Sequence, residues 1–220
     1  MTPDGSGPVG RRIGVFGGAF DPPHVAHRAL AEAALRQLAL DELRIIPTGQ
    51  AWHKARALTD AVHRLAMCRL AFADLPRVRV DTREIDRAGP SYTVDTLTAL
   101  RAEQPGAALF LVVGADQWLA FRTWHRWAEI LRLATVAVAN RPLEGGDGTL
   151  SDLDRVGLPH VVLAVPPLAV SATAVRERWW DPVAGPAARA LVPPAVARYI
   201  SEHRLYAPAA GPATPYPEHP

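Results

Sequence analysis

Residues 13–27 read Ile-Gly-Val-Phe-Gly-Gly-Ala-Phe-Asp-Pro-Pro-His-Val-Ala-His. The apolar run Ile13 to Phe16 has the composition of a buried strand. The pair Gly17 and Gly18 is expected to break it. His24 and His27 then stand three apart at the front of a helix rich in alanine and leucine. A strand, a tight glycine turn and a helix N-terminus make a phosphate-binding arrangement, because free N–H groups and the helix dipole face the anion. Without a Cβ at Gly17 or Gly18, a phosphate chain can come close to the backbone. The two histidines share one face of the first helical turn, so both point at whatever those N–H groups hold. A double glycine alone is more often just a turn, and a single histidine there just a cap. The fixed order of all these features carries the reading.

The stretch resembles the GGxFDPxHxGH signature of the HxGH nucleotidyltransferases. Ala26 stands where that signature has glycine, and Ala19 where threonine is common. Both are small, although Ala26 adds a methyl group where substrate approaches. The resemblance implies that His24 and His27 are catalytic and that Gly17, Gly18 and Phe20 lie along the phosphates of ATP.

The rest of the composition sets bounds. A chain of 220 residues, 49% apolar and 21% charged, is long enough for one substantial core. A formal net charge of +2 gives no argument for nucleic acid as a partner. The basic residues are arginines apart from Lys54. With Cys68 as the sole cysteine, an internal disulfide and a multi-cysteine zinc site are excluded, and its apolar helical setting suggests core packing. No apolar run is long enough for a membrane span. A cytoplasmic protein with no membrane partner is therefore expected, as a monomer or a homo-oligomer.

Strand and helix patterns alternate along the chain. Strands are expected at 13–16, 43–47, 78–82, 108–113, 134–139 and 161–165. Helices are expected at 25–38, from a cap at Thr59 or Asp60 to 73, and at 94–103, 117–133, 171–179 and 194–203. Residues 1–12 read as a flexible leader, 13–206 as the domain, and the Pro/Ala-rich 207–220 as a disordered tail. The alternation predicts an α/β fold: a single Rossmann-like, doubly wound, mostly parallel sheet with helices on both faces. Ligands of such sheets bind beyond the C-terminal ends of the strands, where the candidate clusters fall.

Three further clusters have the residue types for phosphate and nucleotide chemistry. His53 and Lys54 lie on the loop after the second strand. They are either plain surface or a donor and a point charge for phosphate. Asp116 follows the most apolar strand, where it could cap a helix, bond ribose hydroxyls or hold a metal-bound phosphate. Beyond it, Trp118, Trp124 and Trp127 cannot all face the core from one short helix, so at least one offers a flat face for stacking a ring. Ser171 is a good N-cap. Alternatively, Ser171, Thr173 and the free N–H groups hold an anion that Arg176 reaches from the next turn.

The run Val170–Arg176 resembles the family's (I/V)S(S/A)TxxR motif. Residues 81–97, 113–131 and 191–206 resemble one subfamily, the bacterial nicotinate-nucleotide adenylyltransferases. Pro90-Ser91-Tyr92-Thr93 and the pair Thr123-Trp124 separate that subfamily from relatives acting on phosphopantetheine. The resemblance implies transfer of the adenylyl group of ATP to nicotinate mononucleotide, giving deamido-NAD and pyrophosphate in NAD biosynthesis. It assigns Arg176 to catalysis and Lys54, Ser171 and Thr173 to the phosphates. It sets His53, Thr93, Asp116, Trp124 and His125 around the mononucleotide. Mg2+ is expected on the ATP phosphates rather than at a protein metal site. Ala51 and Trp52 replace two prolines of the family's basic loop. The rival readings are the same chemistry with another acceptor (nicotinamide mononucleotide or phosphopantetheine), a binding module without turnover, and a dehydrogenase. The last lacks G-x-G-x-x-G at this turn.

Overall fold

The run at Ile13 forms the strand on which the sheet is centred. The computed structural model describes residues 10–49, 58–140 and 153–208. In them β1 (Arg12–Gly18), β2 (Glu42–Pro47), β3 (Val78–Val80), β4 (Ala108–Val113), β5 (Thr135–Ala139) and β6 (Val161–Leu163) form one sheet of order β3-β2-β1-β4-β5-β6. All five pairings are parallel. Strand order reverses between β1 and β4, and in open sheets of this kind the ligand crevice lies there, beyond the strand C-termini.

The strands are buried on both faces, and their side chains alternate between two cores. Phe16, Phe110, Val112, Ala137 and Ala139 join the core under α1 (Val25–Gln37), α2 (Ala61–Phe72) and the C-terminal helices. Ile13, Val15, Leu109, Leu111, Val113, Val136 and Val138 join the core under α4 (Thr93–Glu103) and α6 (Trp127–Leu133). Gly14 belongs to the first face, where a Cβ would lie 2.5 Å from a Leu40 methyl and 2.7 Å from one of Leu43. Further helices among the described residues are α3 (Arg83–Asp86), α5 (Ala115–Leu119), α7 (Ala172–Arg178), α8 (Gly185–Ala190) and α9 (Pro194–Glu202). None of the helices in the described residues is long and apolar enough to cross a membrane.

β3 and β6 end at Val80 and Leu163 rather than at 82 and 165, and α3 and α8 stand where no helix was expected; three further departures bear on the site. Gly17 and Gly18 do not break β1 but pair with Ile46 and Pro47. A parallel ladder needs only backbone groups, so the glycines leave the strand end bare rather than broken. The turn comes later, at Phe20, with φ 47. The helix expected over 117–133 is instead α5, a 3-10 turn at Phe121–Thr123, and α6. Trp118, Phe121 and Ile130 are all fully buried. Ile130, twelve residues after Trp118, would stand about 120° away from it on a continuous helix. Arg126, at φ 53, resets the direction. The fold also starts before Ile13. Arg12 is the first residue of β1, its N–H donating to Asp41 at 2.7 Å and its guanidinium 4.5 Å from the Phe110 ring centre. Residues 1–9 and 209–220 lie outside the described residues.

Candidate active site

The end of β1 and the start of α1 form the first wall of the crevice. His24 is the N-cap of α1 in extended conformation, and it is buried. Its backbone N–H donates to His27 Nδ1 at 3.1 Å, which in the neutral ring leaves the proton on Nε2. The two imidazoles stack with centroids 3.7 Å apart and planes 23° apart. Phe20 lies edge-on to His27 at 5.0 Å and to Phe16 at 5.4 Å. Its ring is 1% exposed. Phe20 was expected along the phosphates, but its side chain is a core anchor beneath His27, so only its backbone can face a ligand. A Cβ on Gly18 would meet that ring at 3.2 Å, whereas at Gly17 the nearest atom would be Ile46 O at 3.9 Å.

The fourth sequence cluster comes to the same wall. Ser171 caps α7, its hydroxyl accepting from the Ala174 N–H at 3.2 Å. Arg176 donates to the Asp21 carbonyl at 2.6 Å and to Thr173 Oγ1 at 3.1 Å. Thus Thr173, Arg176 and the histidine turn, far apart in sequence, form one assembly.

Asp21 holds that assembly together. Its carboxylate accepts from the Thr59 N–H at 3.2 Å and from the Tyr206 hydroxyl at 2.9 Å. Burial pushes this carboxyl up, but the hydrogen bonds from Thr59 and Tyr206 and the Arg176 charge outweigh it and leave it below its ordinary range. Arg64, 2% exposed, fans out to three carbonyls: Thr59 at 2.8 Å, Ala19 at 3.0 Å and Gly49 at 3.2 Å. It thereby ties the ends of β1 and β2 to the start of α2. Its guanidinium is shifted downward by burial, against the opposing pull of Asp21. Beneath it, Cys68 is buried and its thiol is pushed up by desolvation, as befits a core residue.

Beyond β4 lies the second wall. Gly114 is the N-cap of α5, so Asp116 does not cap it and stands exposed in its first turn. Thr93 is the first residue of α4, with Tyr92 as N-cap. The Tyr92 and His125 rings approach to 4.3 Å, joining the Pro90–Thr93 turn to the Trp124 loop. Trp118 is fully buried, its Nε1 donating to the Leu153 carbonyl at 2.9 Å. Trp124 is half-buried, its ring 5.3 Å from Phe121, and His125 is exposed. Trp127 is also half-buried, beneath the Arg122 guanidinium at 5.0 Å. His53 and Lys54 lie outside the described residues.

Four residues of the site were not assigned to it from sequence: Arg64 and Tyr206 at all, Thr59 except as a candidate helix cap, and Asp21 except as a turn former. Arg64 left a trace. It shares the i, i+3, i+4, i+7 stripe of Met67, Cys68 and Ala71, where an unpaired cation would be costly.

The chain matches the cytidylyltransferase-like family over residues 15–178. A protein of Albidiferax ferrireducens, named a probable nicotinate-nucleotide adenylyltransferase, is 54% identical over 197 residues, which is 89% of this chain and 98% of that relative. This chain belongs to the nicotinate-nucleotide adenylyltransferase family. A relative of the same name from Methylibium petroleiphilum is 44% identical over 207 residues, 91% of this chain and 95% of its own. The nicotinic acid mononucleotide adenylyltransferase of Plasmodium falciparum, solved in complex with NaAD, superposes with a TM-score of 0.74 at 16% identity. That superposition covers 89% of this chain and 97% of the other, so the fold is common to both. Within this adenylyltransferase, Tyr206 lies beyond the 15–178 stretch that matches the broader family.

Proposed function

We infer that the chain joins nicotinate mononucleotide and ATP, giving deamido-NAD and pyrophosphate in NAD biosynthesis. The observation carrying this reading is the convergence of the stacked His24 and His27 with Arg176 on Asp21, at the reversal of strand order. The mononucleotide's 5′-phosphate is ionised at neutral pH, so it needs no activated side chain. One of its oxygens attacks the α-phosphorus of ATP. The bond from that phosphorus to the α–β bridging oxygen breaks, and pyrophosphate leaves with the electron pair. The protein's part is to align the two phosphates and to stabilise charge moving onto the leaving group. His27, with its Nε2 proton, and His24 serve the triphosphate from one side. Arg176, Thr173 and Ser171 hold the outer phosphates, with Lys54 as a further cation.

No group of three His, Cys, Asp or Glu among the described residues is arranged to hold a metal ion. Mg2+ is assigned to the phosphates of ATP, where it would neutralise their charge. On the second wall, the half-buried Trp124 offers its face to the pyridine ring. Thr93 and the backbone near His125 meet the carboxylate, and Asp116 and His53 the ribose and phosphate. The test is pyrophosphate release with ATP and Mg2+ against three acceptors: nicotinate mononucleotide, nicotinamide mononucleotide and phosphopantetheine. Turnover with the first alone supports the reading. Equal turnover with the second removes the carboxylate-reading role of Thr93 and His125. Turnover with phosphopantetheine alone overturns the acceptor assignment and leaves the phosphate wall standing.

A further inference from the structure

Two of the five non-glycine residues at positive φ among the described residues adjoin the same carboxylate. Phe20 (φ 47) precedes Asp21, and Tyr206 (φ 61) donates its hydroxyl to Asp21 Oδ1. Left-handed backbone at residues with a Cβ is strained and persists only where surroundings over-determine it. Around Tyr206 they do. Leu205 is buried, its N–H donates to the Ile200 carbonyl at 3.0 Å, and its own carbonyl accepts from Trp180 Nε1 at 2.8 Å. The hydroxyl also lies 3.9 Å from Met67 Sδ.

We propose that Tyr206 is a positioning residue for adenylyl transfer, acting through Asp21 to fix the buried turn that presents His24 and His27. The proposal rests on the adenylyl-transfer reading above. From Asp21 to His24 every residue is buried, so the turn has little room to relax by itself. The His24 backbone carries His27 through its N–H, and the Asp21 carbonyl carries Arg176. One hydrogen bond spanning 185 residues therefore bears on three of the groups that face the phosphates. Burial and the Asp21 carboxylate push the Tyr206 phenol well above its ordinary range, so it stays a donor at any working pH.

A second tyrosine of the same segment provides the control. Tyr199, on α9, bonds His63 Nδ1 on α2 at 2.9 Å and stacks on His203 at 3.9 Å. It ties helix to helix without touching the histidine turn. Tyr206→Phe keeps the ring and its packing and deletes only the donor. We expect kcat to fall about tenfold while both KM values stay within about twofold, the pattern of a lost transition-state alignment. Tyr199→Phe should leave kcat within about twofold of the parent. The imidazole NMR signals of His24 and His27 should shift in Tyr206→Phe and hold still in Tyr199→Phe. An unchanged kcat with unmoved histidine signals in Tyr206→Phe overturns the proposal. Equal losses in the two variants also overturn it, since the tyrosine would then act only through helix docking. A parent enzyme without turnover would discard the adenylyl-transfer reading. The histidine signals would still decide whether Tyr206 fixes the turn.

Discussion

The two walls of the crevice are built differently. The phosphate wall is held by hydrogen bonds between residues remote in sequence: Asp21 with Tyr206, Arg176 with Asp21, Arg64 with Ala19 and Gly49. The acceptor wall is held mainly by packing: rings set on rings such as Phe121 with Trp124 and Tyr92 with His125, the short 3-10 turn, and the buried Trp118 bonded to the Leu153 carbonyl. Transfer chemistry demands placed donors and tolerates little drift, and the rigid wall provides that. Binding a flat ring demands a surface, and aromatic packing provides it with less constraint. Damage to the first wall should therefore appear in turnover and stability, and damage to the second in substrate affinity.

The sharpest break in that contrast is His27→Ala. Its ring is half-buried, and its bond to the His24 N–H lies within the first turn of α1, so the fold should survive. Turnover should fall by about a hundredfold or more, the scale of a lost transition-state donor. A near-normal kcat in steady-state assays would take His27 out of the chemistry and leave Arg176 as the principal donor.

Arg64→Leu tests the same wall from beneath. The substitution fills the space with apolar atoms and leaves the half-buried carbonyls of Thr59, Ala19 and Gly49 without their donor. A loss of about 3 kcal/mol in urea unfolding is expected, since breaking a buried charged network costs far more than removing a surface pair. A loss below about 1 kcal/mol would mean the three carbonyls find other donors and the wall is less rigid than it looks.

These two residues also mark the limit of what the sequence discloses. The strand β4 has the bounds that its apolar run suggests, because a strand buried on both faces has no polar residue to blur its ends. The start of α1 and the Ser171 cap are equally legible, since caps are local chemistry. His24, His27, Thr173 and Arg176 sit in short motifs, and the structure brings all four to one wall. Asp21, Arg64 and Tyr206 gain their meaning from partners tens to hundreds of residues away, which no window of periodicity contains. The break between α5 and α6 is hidden for a similar reason. Only the opposite core shows that Ile130 must turn inward where a continuous helix would point it elsewhere. Helices α3 and α8, of four and six residues, are too short to leave a period.

On the acceptor wall, Trp124→Ala should raise KM for the mononucleotide about tenfold and leave KM for ATP nearly unchanged, in keeping with loss of one stacking face. Equal changes in both constants would make Trp124 a packing residue for Phe121 and blur the distinction between the walls.

The smallest expected effect separates the walls by the sign of a buried carboxyl. Asp21, on the phosphate wall, is held below its ordinary range, so it stabilises the fold at neutral pH and that contribution is lost only in acid. Glu84 lies under the acceptor wall, next to the Pro90–Thr93 turn, where its carbonyl accepts from Ser91 Oγ at 3.2 Å. Burial pushes its carboxyl above the ordinary value of 4.5, against the opposing bond from Thr96 at 2.9 Å and the Arg87 charge. A raised carboxyl favours the protonated fold, so ionised Glu84 weakens the protein at neutral pH, and the penalty fades as pH falls toward 4.5. Glu84→Gln keeps the size and an acceptor for Thr96 but removes the charge. At pH 7 it should match or exceed the parent in unfolding free energy, by less than about 1 kcal/mol. That difference should shrink as the pH is lowered toward 5 and the parent carboxyl takes up its proton. A glutamine variant that is weaker at pH 7 and regains parity with the parent as the pH falls would show that the Glu84 charge is needed by Arg87. The acceptor wall would then share the ionic construction of its neighbour.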